Sequence, residues 1–177
     1  MASNSSVVYD ANGPADRKDH VSRLDDSLFA ATQSSMTDEL YADSGFCQAI
    51  LLDYSRNPRC AGTCDPASHL AEATNPACGD RVALTFQIRD GQIVQARTAG
   101  AGCAVSQATA SLLVEQLQGK TLPEAGRLLG ELDQLLRQTG GNPDVLERML
   151  ALRLITANPA RVQCALVAYR AAMTALG

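Results

Sequence analysis

The stretch over residues 78–106, CGDRVALTFQIRDGQIVQARTAGAGCAVS, decides the fold class. Apolar and polar residues alternate from residue 82 to residue 88, which is the period of a half-buried β-strand. Asp90 and Gly91 follow, and residues 92–98 read as a returning strand. Because Asp-Gly readily adopts the positive φ angles of a two-residue turn, this pattern predicts an antiparallel hairpin.

Downstream of the glycine-rich turn at residues 100–102, the apolar period becomes helical. It predicts a helix over residues 104–118, and Thr121 with Glu124 forms a capping box for the next one. Asn-Pro pairs, at residues 142–143 and 158–159, place an N-cap and a first-turn proline at two further helix starts. In the last helix we expect one apolar stripe to face the core: Val162, Leu166, Tyr169, Met173 and Leu176.

Upstream of the hairpin, apolar spacing predicts a helix from residue 37 to about residue 56, followed by a loop-rich stretch over residues 58–80. The order helix, small antiparallel sheet, helices is an α+β fold, with the sheet packed against several helices. Residues 1–36 are rich in Ser, Asp and Asn and lack a sustained apolar period. They predict a disordered or weakly ordered N-terminal extension to a domain over residues 37–177.

Composition narrows the class of partners. The formal net charge is -4, and no basic cluster exceeds two adjacent residues, which argues against a nucleic-acid or anionic-membrane surface. No apolar run approaches the roughly 20 residues of a membrane span, and the polar N-terminus lacks the apolar core of a signal peptide. We therefore expect a cytoplasmic chain, whose six cysteines serve metal or redox chemistry more readily than disulfides.

Three cysteines and one aspartate make chemical sense together. Cys78 lies in a predicted turn with Asp80 two residues on, while Cys103 and Cys164 lie near the starts of predicted helices. Free N–H groups and the positive dipole end at a helix start favour the thiolate form. Three thiolates and one carboxylate supply the four ligands that zinc prefers, but their spacing alone does not establish a shared site.

Other readings of the same residues stay open at this point. Cys47 lies on the apolar side of the first predicted helix, where a buried cysteine acts as a small hydrophobic residue. Asp80 alone is compatible with a solvated turn residue or a cap. A local zinc knuckle is a further alternative, built from Cys60, Cys64, His69 and Cys78.

Two motifs carry a resemblance to a known family. Residues 75–80 read NPACGD and residues 100–106 read GAGCAVS; smaller matches are YSRNP at 54–58 and ARVQCA at 160–165. In this order the motifs resemble the SufU/IscU/NifU N-terminal family of iron–sulfur assembly proteins, over roughly residues 38–176. The resemblance implies an α+β fold and a metal site made of Cys78, Asp80, Cys103 and Cys164.

The branch of the family is indicated by the segment before the last cysteine. Gln163 stands where the IscU branch has a histidine, and the chain carries an extra predicted helix near residues 143–154. Both features resemble SufU, a zinc-containing partner of a PLP-dependent, SufS-type cysteine desulfurase. The extension at residues 1–36 departs from that type.

The resemblance also implies a mechanism. In a SufU-type protein, Cys78 would accept sulfur as a persulfide and carry it to the downstream iron–sulfur assembly machinery, which is a sulfurtransferase activity. Arg161 is a candidate docking contact for the desulfurase, or else a solvated arginine. The alternatives are an IscU-like scaffold that assembles a [2Fe–2S] cluster from iron and sulfur, and a structural zinc domain that only binds a partner.

Overall fold

Three antiparallel strands form the single sheet of the computed structural model, which describes residues 39–177. They are β1 (His69–Asn75), β2 (Asp80–Arg89) and β3 (Gln92–Ala101), in the spatial order β1-β2-β3. Asp90 and Gly91 have φ angles of 50° and 75° and join β2 to β3, which confirms the predicted hairpin. The predicted extension at residues 1–36 lies outside the described residues.

Strand β1 occupies part of the stretch that the sequence predicts to be loop-rich, so that prediction is wrong for residues 69–75. The strand pairs with β2 from His69 opposite Phe86 to Asn75 opposite Asp80. Its composition, HLAEATN, contains none of the Val, Ile or aromatic residues that usually indicate a strand. The pairing matters for the site, because it closes β1 and β2 with a tight turn that contains Cys78.

The first described helix starts later than predicted. Residues 39–42 form a helical turn, and helix α1 runs over Ser44–Arg56. Asp43 separates them, because its backbone is extended and its carboxylate accepts hydrogen bonds from the amides of Gly45 and Phe46. The continuous helix expected from residue 37 is therefore broken by an N-cap.

Two predicted helices follow the sheet. Helix α2 (Ala104–Leu117) is buried along most of its length and packs against α1 and the sheet. Helix α3 (Leu122–Leu136) starts at the predicted capping box, in which both the Thr121 and the Glu124 hydrogen bonds are present. This confirms the helix start that was predicted at Thr121.

The extra helix predicted near residues 143–154 is mostly of another type. A short α4 (Pro143–Leu146) continues as a 3₁₀ helix over Glu147–Ile155. The change occurs at Glu147, whose φ of 45° is incompatible with continued α-helix. Residues of this 3₁₀ helix are nevertheless well buried, Met149 to Leu152 among them.

The final helix, α5 (Pro159–Leu176), begins at the predicted Asn158 cap but buries a different face from the one expected. Met173 is 43% exposed, and the rest of the predicted stripe is only partly buried. The fully buried face consists mostly of small residues: Ala165, Val167, Ala168, Ala171 and Ala172. Small side chains let α5 lie close against β1, β2 and α2. The buried face of α5 is therefore the one that permits close packing, not the one with the largest apolar side chains.

The core lies between the inward face of the sheet, with Val82, Leu84 and Phe86, and the helices α2 and α5. The α+β class predicted from the sequence is confirmed. Among the helices of residues 39–177, none combines the length and apolar character that crossing a bilayer requires.

Candidate metal centre

The turn between β1 and β2 holds Cys78 at the edge of the sheet. The backbone oxygen of Asn75 accepts hydrogen bonds from the amides of Cys78 (3.3 Å) and Gly79 (2.8 Å). The Asn75 side-chain oxygen accepts a third from the amide of Ala77, at 3.1 Å. Gly79 has a φ of 77°, a conformation that favours glycine. The thiol-bearing residue Cys78 is exposed.

Asp80 is the first residue of β2, and its side chain turns inward, with the residue only 2% exposed. Its Oδ1 accepts a hydrogen bond of 2.9 Å from the backbone amide of Cys103. Cys103 is the N-cap of α2, but its thiol makes no capping hydrogen bond. The thiol is therefore free to act as a ligand, next to the positive end of the helix dipole.

Cys164 approaches the same place from α5. Its Sγ lies 3.9 Å from the Sγ of Cys78, although the two residues are 86 positions apart. The ligand atoms of Cys78, Asp80 and Cys164 all lie within 4.8 Å of one another. The Cys103 thiol is not part of that mutually close group, and Cys103 joins the site through its amide contact with Asp80.

The electrostatics distinguish the members of this cluster. Burial alone would raise the pKa of Asp80, but the Cys103 amide and the nearby thiols of Cys78, Cys164 and Cys103 hold that pKa below its usual range. Burial, reinforced by the neighbouring Cys103 and Asp80, raises the pKa of the Cys164 thiol. Without a metal, the centre thus contains one carboxylate and a buried thiol that keeps its proton.

One carboxylate oxygen of Asp80 indicates that this cluster of thiols and carboxylate fits a metal ion. Oδ2 is buried and accepts no hydrogen bond of standard geometry from residues 39–177, although the three thiols lie nearby. A buried carboxylate oxygen without a partner is costly unless something positive binds it. Thiols and a carboxylate oxygen are common metal ligands, so the group of Cys78, Asp80 and Cys164 could hold a metal ion.

The other cysteines and His69 lie outside this metal centre. Cys47 is buried and donates to the backbone oxygen of Tyr41, which confirms its expected place in the core. Cys64 is buried and donates to the Thr85 backbone oxygen, while His69 is exposed. Within residues 39–177, Cys60, Cys64 and His69 join no group of metal-ligating side chains, so the alternative of a local zinc knuckle does not form.

A groove of about 810 Å³ opens beside the centre. Cys78, Cys103 and Cys164 contribute to its lining. Arg161 also lines it and is exposed. The apolar part of the lining comes from α1 and the 3₁₀ helix, with Leu51, Leu52, Leu154 and Ile155.

Sequence reasoning missed Asn75, whose oxygens hold the turn that contains Cys78, and Gly102, where a Cβ atom would lie 2.7 Å from Oδ1 of Asp80. Each belongs to a quoted motif, NPACGD or GAGCAVS, but their roles depend on contacts that spacing does not reveal. Gln163, which precedes Cys164, also lines the groove, and its side-chain oxygen accepts a hydrogen bond from Arg170 at 2.8 Å.

Comparison with known proteins gives consistent matches. The profile of the NifU-like N terminal domain matches residues 47–175. The chain is 32% identical over 126 residues to the iron–sulfur cluster assembly scaffold protein IscU of Thermotoga maritima, covering 71% of this chain and 89% of that protein. It is 31% identical over 124 residues to the zinc-dependent sulfurtransferase SufU of Bacillus subtilis, covering 69% of this chain and 83% of that protein.

A solved structure supports the same relationship. It is that of a protein from Fervidobacterium islandicum, described as an iron–sulfur cluster assembly scaffold protein for the SUF system. It superimposes with a TM-score of 0.70 and 30% sequence identity, over 72% of this chain and 94% of that one.

Proposed function

Because the chain belongs to the family of NifU-like N-terminal domains, we propose that it serves iron–sulfur cluster assembly as a zinc-dependent sulfur carrier. Its sulfur donor is a SufS-type, PLP-dependent cysteine desulfurase, and its acceptor is the downstream assembly machinery of the cytoplasm. The observation that carries this proposal is the convergence of Cys78, Asp80 and Cys164, two of which, Cys78 and Cys164, also line a largely apolar groove.

Cys78 is the residue best suited to accept sulfur. It is exposed and lies in a turn between two strands, whereas Cys164 is buried within a long helix. Cys103 is also exposed, but its backbone amide is bonded to Asp80, which fixes its position. A sulfur acceptor must be accessible to the donor, and it must be ionised to the thiolate when it attacks.

The transfer step conserves atoms and electrons. The Cys78 thiolate attacks the outer sulfur of the desulfurase persulfide, and the S–S bond of the donor breaks. The desulfurase cysteine leaves as a thiolate, and Cys78 holds the sulfur as its own persulfide. No external oxidant or reductant is required.

Four side chains would hold zinc: Cys78, Asp80, Cys103 and Cys164. Zinc bound there would keep the coordinated thiols deprotonated at neutral pH. Asp80 would bind the metal through Oδ2, which has no hydrogen-bond partner, while Oδ1 accepts the hydrogen bond from the Cys103 amide. That hydrogen bond favours the ionised carboxylate and fixes its orientation.

The groove is the proposed docking site for the segment that carries the donor persulfide. Its apolar wall, which includes Leu51 and Ile155, excludes water from the thiols when it is covered. The exposed Arg161 in the same groove suits an acidic group on the desulfurase.

A second candidate is a scaffold that assembles an iron–sulfur cluster as cargo. The Thermotoga maritima relative bears that description, and the same four side chains are suitable cluster ligands. Against it, Gln163 replaces the histidine expected of the IscU branch, and its side-chain oxygen is engaged by Arg170.

Elemental analysis of the purified protein tests the two candidates. The carrier proposal expects about one zinc ion per chain without visible absorbance or acid-labile sulfide. Iron with matching labile sulfide, retained through anaerobic purification, would favour the scaffold instead. Neither metal in any preparation would contradict both.

Sulfur transfer itself is tested by mass spectrometry. After incubation with a cysteine desulfurase and cysteine, the peptide containing Cys78 should gain the mass of one sulfur atom. Cys78→Ser should abolish the gain, and Cys60→Ser, outside the cluster, should leave it unchanged. Sulfur found on another cysteine of the wild type would contradict the assignment of Cys78.

A further inference from the structure

Gly102 has none of the usual reasons to be glycine. It is exposed, and its φ lies outside the left-handed region that favours glycine. Another residue would therefore fit its backbone without conformational strain. What excludes a side chain is the direction in which Cβ would point, which is toward the candidate metal centre.

A Cβ atom at residue 102 would collide with two polar side chains. It would lie 2.7 Å from Oδ1 and 2.9 Å from Cγ of Asp80, and 2.4 Å from Oγ of Ser106. Distances below about 3 Å to carbon are far inside van der Waals contact. Ser106 is also buried, and its hydroxyl would have to change rotamer, at the expense of its 3.0 Å hydrogen bond to the Cys103 oxygen.

Asp80 could move aside only by disturbing the centre. Its side chain is buried, and Oδ1 is the oxygen that accepts the hydrogen bond from the Cys103 amide. Displacing that oxygen would break the bond and rotate Oδ2, the oxygen without a partner, away from its present direction. The missing side chain of Gly102 thus leaves space for the orientation of Asp80 that suits a metal ligand.

We propose that Gly102 is a positioning residue of the metal centre. Because Gly102 has no side chain, Oδ1 of Asp80 can accept the hydrogen bond from the Cys103 amide, and Oδ2 is left to bind the metal. This inference rests on the zinc binding proposed above. It predicts that Asp80 binds zinc through one oxygen.

The test is a double-mutant cycle on zinc affinity, measured by competition with a chromophoric chelator. Gly102→Ala should weaken zinc binding about 10- to 100-fold, the range for residues that orient a ligand. In an Asp80→Ala background, the same substitution should have little further effect, because the carboxylate that it displaces is already gone. Gly130→Ala is the matched control, since a Cβ there meets open space.

Each other outcome is informative. Equal losses from Gly102→Ala in both backgrounds would show that it acts through the fold and would overturn the inference. So would recovery of affinity in Gly102→Ala/Ser106→Ala, because the critical contact would then be Ser106. If Gly102→Ala and the wild type bind zinc equally tightly, the inference is overturned and the proposed function stands. If the wild type has no affinity for zinc, both the inference and the proposed function are overturned.

Folding gives a second readout. Should Gly102→Ala fail to fold, Gly102→Ala/Asp80→Ala should recover the wild-type circular dichroism spectrum, because the collision with the carboxylate is removed. A double variant that also fails to fold would contradict the proposed role of Gly102.

Discussion

Zinc should stabilise this fold measurably, because its proposed ligands come from separate parts of the chain. The turn before β2 supplies Cys78, the first residue of β2 supplies Asp80, the start of α2 supplies Cys103, and α5 supplies Cys164. In the unfolded chain these residues are far apart, Cys78 and Cys164 by 86 positions, so the metal binds the folded state almost exclusively.

The size of the effect follows from linkage. Free zinc held at about 100 times its dissociation constant adds about 2.7 kcal/mol to the free energy of unfolding. In a domain of this size, 1 kcal/mol shifts Tm by about 2–4 °C. We therefore expect Tm to fall by roughly 5–11 °C when a chelator replaces buffered zinc.

Thermal unfolding followed by circular dichroism measures this shift. Cys103→Ser and Cys164→Ser should each lose most of it, because they remove a ligand. Cys60→Ser is the matched control, since Cys60 lies outside the cluster, is half-buried, and its thiol makes a long polar contact of 4.0 Å with the side-chain oxygen of Gln118. The reasoning would be refuted by a wild-type Tm that does not respond to chelator, or by a shift that Cys60→Ser loses and Cys164→Ser keeps.

Three further predictions concern individual residues. Cys78→Ser should leave the circular dichroism spectrum unchanged, because residue 78 is exposed, while it reduces zinc content measured by elemental analysis. Tyr54 is buried and donates a hydrogen bond to Glu115 while accepting one of 2.9 Å from Arg148, so Tyr54→Phe should cost about 1–3 kcal/mol in urea unfolding. Burial and Glu115 raise the pKa of Tyr54 above its ordinary value, so the stability it confers is present below about pH 10 and lost as pH rises through the raised pKa; the Phe variant should lose less in that range. Thr121→Ala should cost about 0.5–2 kcal/mol in the same assay, because it removes the cap of α3, and a smaller loss would mean that the capping box is redundant.

The elements that the sequence predicts well are those with a local cause. The turn at Asp90 and Gly91 and the cap at Thr121 are determined by neighbouring residues, and both are confirmed. Strand β1 has no such local signal, because its stability comes from pairing with β2 and from packing against α5. The buried face of α5 was mispredicted for a related reason: Ala168 and Ala171 are buried because neighbouring elements lie close, which side-chain hydropathy does not encode.

In the candidate site, too, the features with a local cause are the ones that the sequence predicts. Cys78 and Asp80 are two residues apart in a recognisable motif, so their proximity follows from the sequence. The approach of Cys164 from α5 depends on the complete fold; the chemistry of the residues suggested it, and the family resemblance made it specific. The contact of Asp80 with the Cys103 amide was not anticipated at all, because it joins a side chain to a backbone group.

The different constraints on the four side chains bear on whether the centre is structural or reactive. Asp80 is buried and bonded to the Cys103 amide, and Cys164 is buried in α5, so these residues form a fixed inner part of the site. Cys78 combines exposure with a place in a turn, and it also lines the groove. A structural zinc site has four protein ligands and no open position, so a reactive centre needs one ligand that can leave the metal. An exposed thiol beside the buried Asp80 and Cys164 fits the proposed sulfur carrier, because one sulfur can be reached while the buried ligands keep the site assembled.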